Sequence, residues 1–168
     1  MVVQLLTHTP DPERLVAAAA RLCYSPSTIG ELVEKDRSEA ESLIRKILSL
    51  GHLSVLEHAS FTFGVEGISR ACSHQLVRHR LASYSQQSQR YVSRKERFSA
   101  VTPPSVSLQP ELAKRYEALL DEIHRAYGDM VDAGIPAEDA RFILPNAAET
   151  KVVMTMNDRE LLHFFTLR

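Results

Sequence analysis

Apolar residues in this chain come in short runs whose period switches between two and about three and a half, so strands and helices can be read off in turn. Val2 to Leu6 is an apolar, β-branched run that stops at Thr7 to Pro12, which predicts an opening strand. A helix follows, with Thr9 or Asp11 as its cap, Pro10 or Pro12 in its first turn, and Leu15, Ala18, Ala19 and Leu22 at helical spacing. The stretch SPSTIG breaks that pattern. Ser38 to Leu50 predicts a second helix, its apolar face made by Leu43, Ile44, Ile47 and Leu48, with Gly51 as the C-terminal stop. Ser54 and Glu57 then have capping-box spacing, so Gly51 to His58 predicts a brief helix with His52 just before its cap.

Phe61, Phe63 and Val65 alternate with Ser60, Thr62 and Gly64, the signature of a strand with one buried face, closed by Gly67. Ile68 to Val77 returns to helical character and turns Ala71, Cys72 and Leu76 inward. Tyr91 to Phe98 predicts a strand, anchored by Val92 and Phe98, that leads into the proline-rich loop Thr102 to Pro110. Pro110 to Ala133 is the longest helix, with Leu112, Tyr116, Leu119, Leu120, Ile123, Tyr127 and Met130 inward and Gly134 at its end. Pro136 to Phe142 begins another helix that Pro145 limits. Thr150 to Met156 is strand-like, and Asn157 caps a final helix through Leu162, Phe164 and Phe165. Strands and helices do not alternate in a βαβ rhythm, so the fold class is α+β: a mixed or antiparallel sheet flanked by helices in a single domain.

Composition adds little to this and excludes some functions. The 168 residues are 44 % hydrophobic and 24 % charged with a net charge of −1, which predicts neither a nucleic-acid coat nor a membrane-surface protein. Charge is nonetheless uneven: Arg70 to Arg97 holds six arginines and one lysine against Glu96 alone. Cys23 and Cys72 lie in apolar helical settings that favour buried, neutral thiols, and two cysteines so far apart make no disulfide framework. The N-terminal residues have no export signal pattern and no window suits a membrane span, so the expected location is the cytoplasm.

The stretch Arg78 to Tyr91, RHRLASYSQQSQRY, has little with which to fill a core. Three arginines, one histidine, three serines, three glutamines and two tyrosines occupy twelve of its fourteen positions, leaving Leu81 and Ala82. Guanidinium groups bind phosphates bidentately, and Ser and Gln supply neutral donors, so this composition predicts a surface for a phosphate-bearing ligand. No GxGxxG or GxxxxGK[ST] is present, so side chains must hold any nucleotide. The seven histidines show no HExxH or comparable spacing, and no metal is expected. His52 stands out because it follows a glycine at a helix start. Ser88 has no adjacent base and no GxSxG elbow, which makes it an anion contact rather than a nucleophile.

At these residues the chain closely resembles the flavin-dependent thymidylate synthases, whose hallmark is RHR, seven intervening residues, then Ser. Arg78, His79, Arg80 and Ser88 meet that spacing, and Gln89, Arg90 and Tyr91 continue it. GHLSVLEHASFTF upstream, IPAEDARFILP at Ile135 to Pro145, and MNDRELLHFFTLR at the end extend the resemblance over most of the chain. It implies methylation of deoxyuridylate (dUMP) to thymidylate with FAD, NADPH and methylenetetrahydrofolate, in a homotetramer whose active sites are shared between subunits. It also implies roles. Arg78, His79 and Arg80 resemble FAD contacts, with His52 near the flavin and Asn157 and His163 on the flavin side of the last helix. Gln75, Gln87, Ser88, Arg90 and Arg141 resemble dUMP contacts. Arg168 would face the pyrimidine and stabilise negative charge at the uracil carbonyls, and Arg168 and His52 are the expected catalytic residues.

Two departures accompany the resemblance. Ser85 and Gln86 stand where many members have Asn-Glu, which removes a carboxylate, and the chain stops at Arg168 where relatives continue with another C-terminal segment. The same residues admit two other readings. In a module for single-stranded nucleic acid, Arg78, Arg80, Arg90, Arg94 and Arg97 would track phosphates while Tyr84 and Tyr91 stack on bases. In a mononucleotide-binding regulator, the ligands would bind without turnover. The resemblance favours the enzyme and predicts neither a nucleic-acid nor a membrane partner.

Overall fold

The computed structural model describes residues 1–35, 37–91 and 98–167. The opening run forms β1 (Val2–His8), an edge strand whose residues are all exposed, Val2, Val3, Leu5 and Leu6 included. Helix α1 (Pro12–Leu22) starts with Pro12, as expected, after Asp11 at φ 43°, a left-handed conformation that Asp tolerates better than most residues. Thr9 does not cap it. Its hydroxyl accepts from the Ser60 amide at 2.9 Å and its own amide donates to the Ser60 carbonyl. The buried face of α1 is Val16, Ala17, Ala18 and Ala20, while Leu15 and Leu22 are exposed, so the helix meets its neighbours through small side chains rather than through the leucines expected there.

Helix α2 (Ile29–Val33) begins inside the stretch read as a break. Thr28 and Glu31 form a capping box, with the Thr28 amide donating to the Glu31 carboxylate at 2.8 Å. Helix α3 (Arg37–Ser49) buries Ala40 and Ile47 and half-buries Leu43 and Ile44; Leu48 is exposed. Gly51, at φ 75°, ends that segment as expected. Leu53–His58 is helical but 3-10, and His52 occupies the cap position without a side-chain bond. The expected Ser54–Glu57 box does not form, because Ser54 lies inside the turn and Glu57 pairs with Arg159.

Strand β2 (Ser60–Ser69) runs straight through Gly67 instead of closing there. Gly67 has φ 71°, and a Cβ on it would lie 3.1 Å from the Met1 Cα and N, so backbone approach demands the glycine. Ser69 caps α4 (Arg70–Leu76) by accepting from the Cys72 amide at 3.1 Å. Ser73 is the buried residue of this helix. Ala71 and Cys72 are exposed, and so is Cys23, which overturns the burial expected for both thiols. Strand β3 (Ser83–Gln86) lies within the arginine-rich stretch, where no strand was expected.

The proline-rich loop contains a short α5 (Pro104–Ser107). Helix α6 (Pro110–Asp132) matches its expected span and reaches Gly134 at φ 85°; Leu120 and Tyr127 are buried while Leu112 and Leu119 are exposed. Helix α7 (Ala137–Ala140) passes into a 3-10 turn, Arg141–Ile143. Strand β4 (Glu149–Asn157) buries Thr150, Val152, Met154 and Met156 at every second position. Asn157 caps α8 (Asp158–Leu167) as expected, accepting from the Glu160 amide at 2.9 Å; Leu161 is buried, whereas Leu162 and Phe165 are exposed.

The sheet is antiparallel, in the order β1-β2-β4-β3, and the class is α+β as expected. The chain folds into two compact units: unit 1 comprises Met1–Val3, Val65–Arg78 and Ser85–Val153, and unit 2 comprises Gln4–Gly64, His79–Tyr84 and Met154–Arg168. Phe98, Leu120 and Ala148, joined by Tyr116, Ile123 and Leu144, form a core in unit 1. Val16, Leu56 and Ala59, joined by Ile44 and Phe61, form one in unit 2. The strand expected from Tyr91 to Phe98 falls largely on residues 92–97, outside the described residues; Phe98 is buried, as its anchor role requires. No helix among the described residues is long and apolar enough to cross a membrane.

Candidate active site

In unit 1, polar side chains gather at the junction of α4, β3 and β4. Gln86, the last residue of β3, donates its side-chain amide to the Ser73 hydroxyl at 2.6 Å and to the Thr150 hydroxyl at 3.2 Å. Ser73 and Thr150 are both buried, and Ser73 in turn donates to the Arg70 carbonyl at 3.0 Å. The Gln87 amide donates to the Lys151 carbonyl at 3.0 Å, which sets Gln87 and Ser88 beside a crevice of about 10 Å³ lined also by Phe98, Leu144 and Thr150. That volume holds about one water molecule. The Ser88 hydroxyl accepts from the Arg90 amide at 3.1 Å and so shapes the turn that presents Arg90. The Arg90 guanidinium lies 5.3 Å from the Tyr91 ring centroid and donates to the Tyr91 hydroxyl at 3.3 Å.

Positive charge accumulates in this unit. Arg141 donates from Nε to the Glu138 carbonyl at 3.1 Å, which aims the rest of its guanidinium elsewhere. Burial, and then the charge of Arg141, holds the Arg70 guanidinium below the usual arginine range. Two cations held close enough to oppose each other form a place where an anion relieves repulsion. Among the described residues no carboxylate pairs with Arg78, Arg80, Arg90 or Arg141.

Unit 2 has a different character. His79 is buried at 5 % exposure, its ring 5.7 Å from that of His163 and edge-on to Phe164 at 5.4 Å. The Tyr84 hydroxyl donates to the His79 carbonyl at 2.9 Å and fixes the backbone at the centre of RHR. Asn157 acts through the start of α8, the helix that carries His163 and Phe164. His52 is exposed and lines a separate cavity of about 360 Å³ whose walls include Leu43, Ile47, Leu50 and Val55, with Lys46 at its edge.

The structure therefore brings His79 and His163 together, with Asn157 supporting them, and brings Gln87 together with Ser88 beside the Arg90 turn. Gln75 is exposed on α4, its carbonyl accepting from the Arg78 amide at 3.3 Å, and Arg78 and Arg80 are exposed on either side of the buried His79. Arg168 lies outside the described residues, as do Arg94 and Arg97 of the nucleic-acid reading. Sequence reasoning missed Ser73, Thr150 and Phe164 as parts of these constellations. Thr150 was findable: a hydroxyl in register with Val152, Met154 and Met156 on the buried face of a strand needs a partner.

Comparison with known proteins bears on what these constellations serve. A family model described as thymidylate synthase complementing protein matches residues 4–168. A flavin-dependent thymidylate synthase of Geobacter sulfurreducens is 61 % identical over 170 residues, covering all of this chain and 73 % of the relative. Proteins of the same name from Pyrococcus horikoshii and Nitratidesulfovibrio vulgaris are 48 % and 44 % identical, each over 99 % of this chain and over 70 % and 73 % of their own lengths.

Proposed function

The chain belongs to the flavin-dependent thymidylate synthase family, and from that premise we propose that it methylates dUMP to thymidylate with methylenetetrahydrofolate as carbon donor and NADPH as reductant through FAD. The observation that carries this reading is the pairing, within one signature stretch, of an aromatic cluster at His79 with a hydrogen-bonded polar turn at Gln87 to Arg90. A flavin nucleotide needs flat apolar surface for its ring and cations for its pyrophosphate. The exposed His163 and half-buried Phe164 rings, backed by the buried His79, and the exposed Arg78 and Arg80 suit those needs. Bound FAD supplies the redox chemistry, and the protein supplies position and field.

The residues divide the remaining work. Arg90 and Arg141 neutralise the dUMP phosphate, while Gln75, Gln87 and Ser88 orient the nucleotide through neutral hydrogen bonds. The family resemblance gives Arg168 the role of stabilising negative charge on the uracil carbonyls as C5 becomes nucleophilic, so no enzyme nucleophile is required. His52 serves on the flavin side. Residues 1–168 act as one family domain in a cytoplasmic homotetramer, whose neighbouring subunits complete each site. The purified protein should show flavin absorption bands and, with NADPH and methylenetetrahydrofolate, release tritium from dUMP labelled at C5. A colourless protein that takes up no added FAD, or flavin-loaded protein that releases no tritium, would overturn the proposal.

A further inference from the structure

We propose that Gln86 is a positioning residue for the nucleotide: by donating both amide hydrogens to the buried Ser73 and Thr150 hydroxyls, it sets the Gln87–Ser88 backbone at the crevice those residues line. This rests on reading that part of unit 1 as the dUMP site. The hydrogen count fixes the direction of each bond. Ser73 has one hydroxyl hydrogen and spends it on the Arg70 carbonyl, so its oxygen accepts, and only the NH2 end of the Gln86 amide can donate to it. The second hydrogen of that NH2 reaches Thr150. One side chain thus joins α4, which carries Gln75, to β4, which supplies a wall of the crevice, from the strand that leads into Gln87.

The next residue is held as well, since the Gln87 amide donates to the Lys151 carbonyl at 3.0 Å. With the chain held at both points, Gln87 and Ser88 have little freedom to leave the crevice. Two buried hydroxyls bridged by the half-buried Gln86 amide would, if they served stability alone, be replaceable by apolar groups of the same shape at little cost. Directional bonds also fix the orientation of the residues that follow.

The test is dUMP titration calorimetry and thermal unfolding on the flavin-loaded full chain. Gln86→Leu should lower Tm and weaken dUMP binding on the order of tenfold. The triple variant Ser73→Ala, Gln86→Leu, Thr150→Val should regain the Tm of the unmodified protein but keep the weakened dUMP affinity. If the triple variant regains affinity together with stability, or if Gln86→Leu binds dUMP as tightly as the unmodified protein, the positioning role is wrong. Absence of dUMP binding by the unmodified protein overturns the site reading and the positioning role together, whereas binding that every variant retains overturns the positioning role alone.

Discussion

The two units hold their candidate ligand residues by different physics. In unit 1 the side chains around Gln87 and Ser88 are fixed by directional hydrogen bonds from the half-buried Gln86 amide to two buried hydroxyls, with Arg90 on the turn that follows. In unit 2 the centre is a ring cluster, His79 with His163 and Phe164, held by contact area and one hydroxyl bond to the backbone. A small anion with a hydrogen-bonding base demands direction from its site, whereas a flat tricyclic cofactor demands surface. The difference teaches that one continuous stretch, RHRLASYSQQSQRY, enters two different environments, His79–Tyr84 in unit 2 and Ser85–Tyr91 in unit 1.

Removing one kind of contact should therefore spare the other ligand. The largest expected effect is on the ring cluster. His79→Ala should weaken flavin binding by about a hundredfold, since it empties a buried ring position and ends both ring contacts; flavin absorbance per chain after gel filtration is the measurement. Next is Arg90→Ala, which should weaken dUMP binding by about tenfold to about a hundredfold through loss of a charge-assisted contact, while flavin absorbance stays at the level of the unmodified protein. Equal loss of both ligands in either variant would break the comparison.

Asn157→Ala sharpens it. This change removes the cap of the helix that carries His163 and Phe164 and should cost about 1 kcal/mol, or about 2–4 °C in Tm, with a measurable loss of flavin affinity and none of Arg90-dependent dUMP affinity. The smallest effect belongs to the Thr28–Glu31 box. Its backbone and side-chain hydrogen bonds from Thr28 hold the Glu31 carboxyl below the usual glutamate value, so the stabilisation is complete above that value and is lost as pH falls through the lowered one. Glu31→Gln should accordingly speed amide exchange in Ile29–Val33 near neutral pH, with the difference shrinking in acid, and should leave both ligands untouched.

Legibility in the sequence followed the range of the interactions involved. The long α6, the stops at Gly51 and Gly134, the Asn157 cap and the strand character of β4 depend on residues within a few positions of each other, and each was readable. Faces were harder. Leu15, Leu22, Leu112, Leu119 and Leu162 have helical spacing but are exposed, while the alanines of α1 are buried, because which stripe turns inward depends on what packs against it. Residues 83–86 carry too few apolar side chains to look like a strand; pairing with β4 makes them one. The thiols of Cys23 and Cys72 sit in apolar sequence, yet both emerge at the surface.

By itself the sequence determined the chemistry available: a stretch rich in guanidinium, amide and hydroxyl groups, bounded by elements whose local periods and caps prescribe α+β. Only the tertiary structure decided which of those groups bond to one another and which line the crevice. Gln86 and Gln87 are adjacent and chemically identical, but alternation along the chain sends them to different partners. Gln86 finds Ser73 and Thr150, 13 and 64 residues away, and Gln87 lines the crevice. That choice depends on contacts between distant segments, which no local pattern of residues encodes.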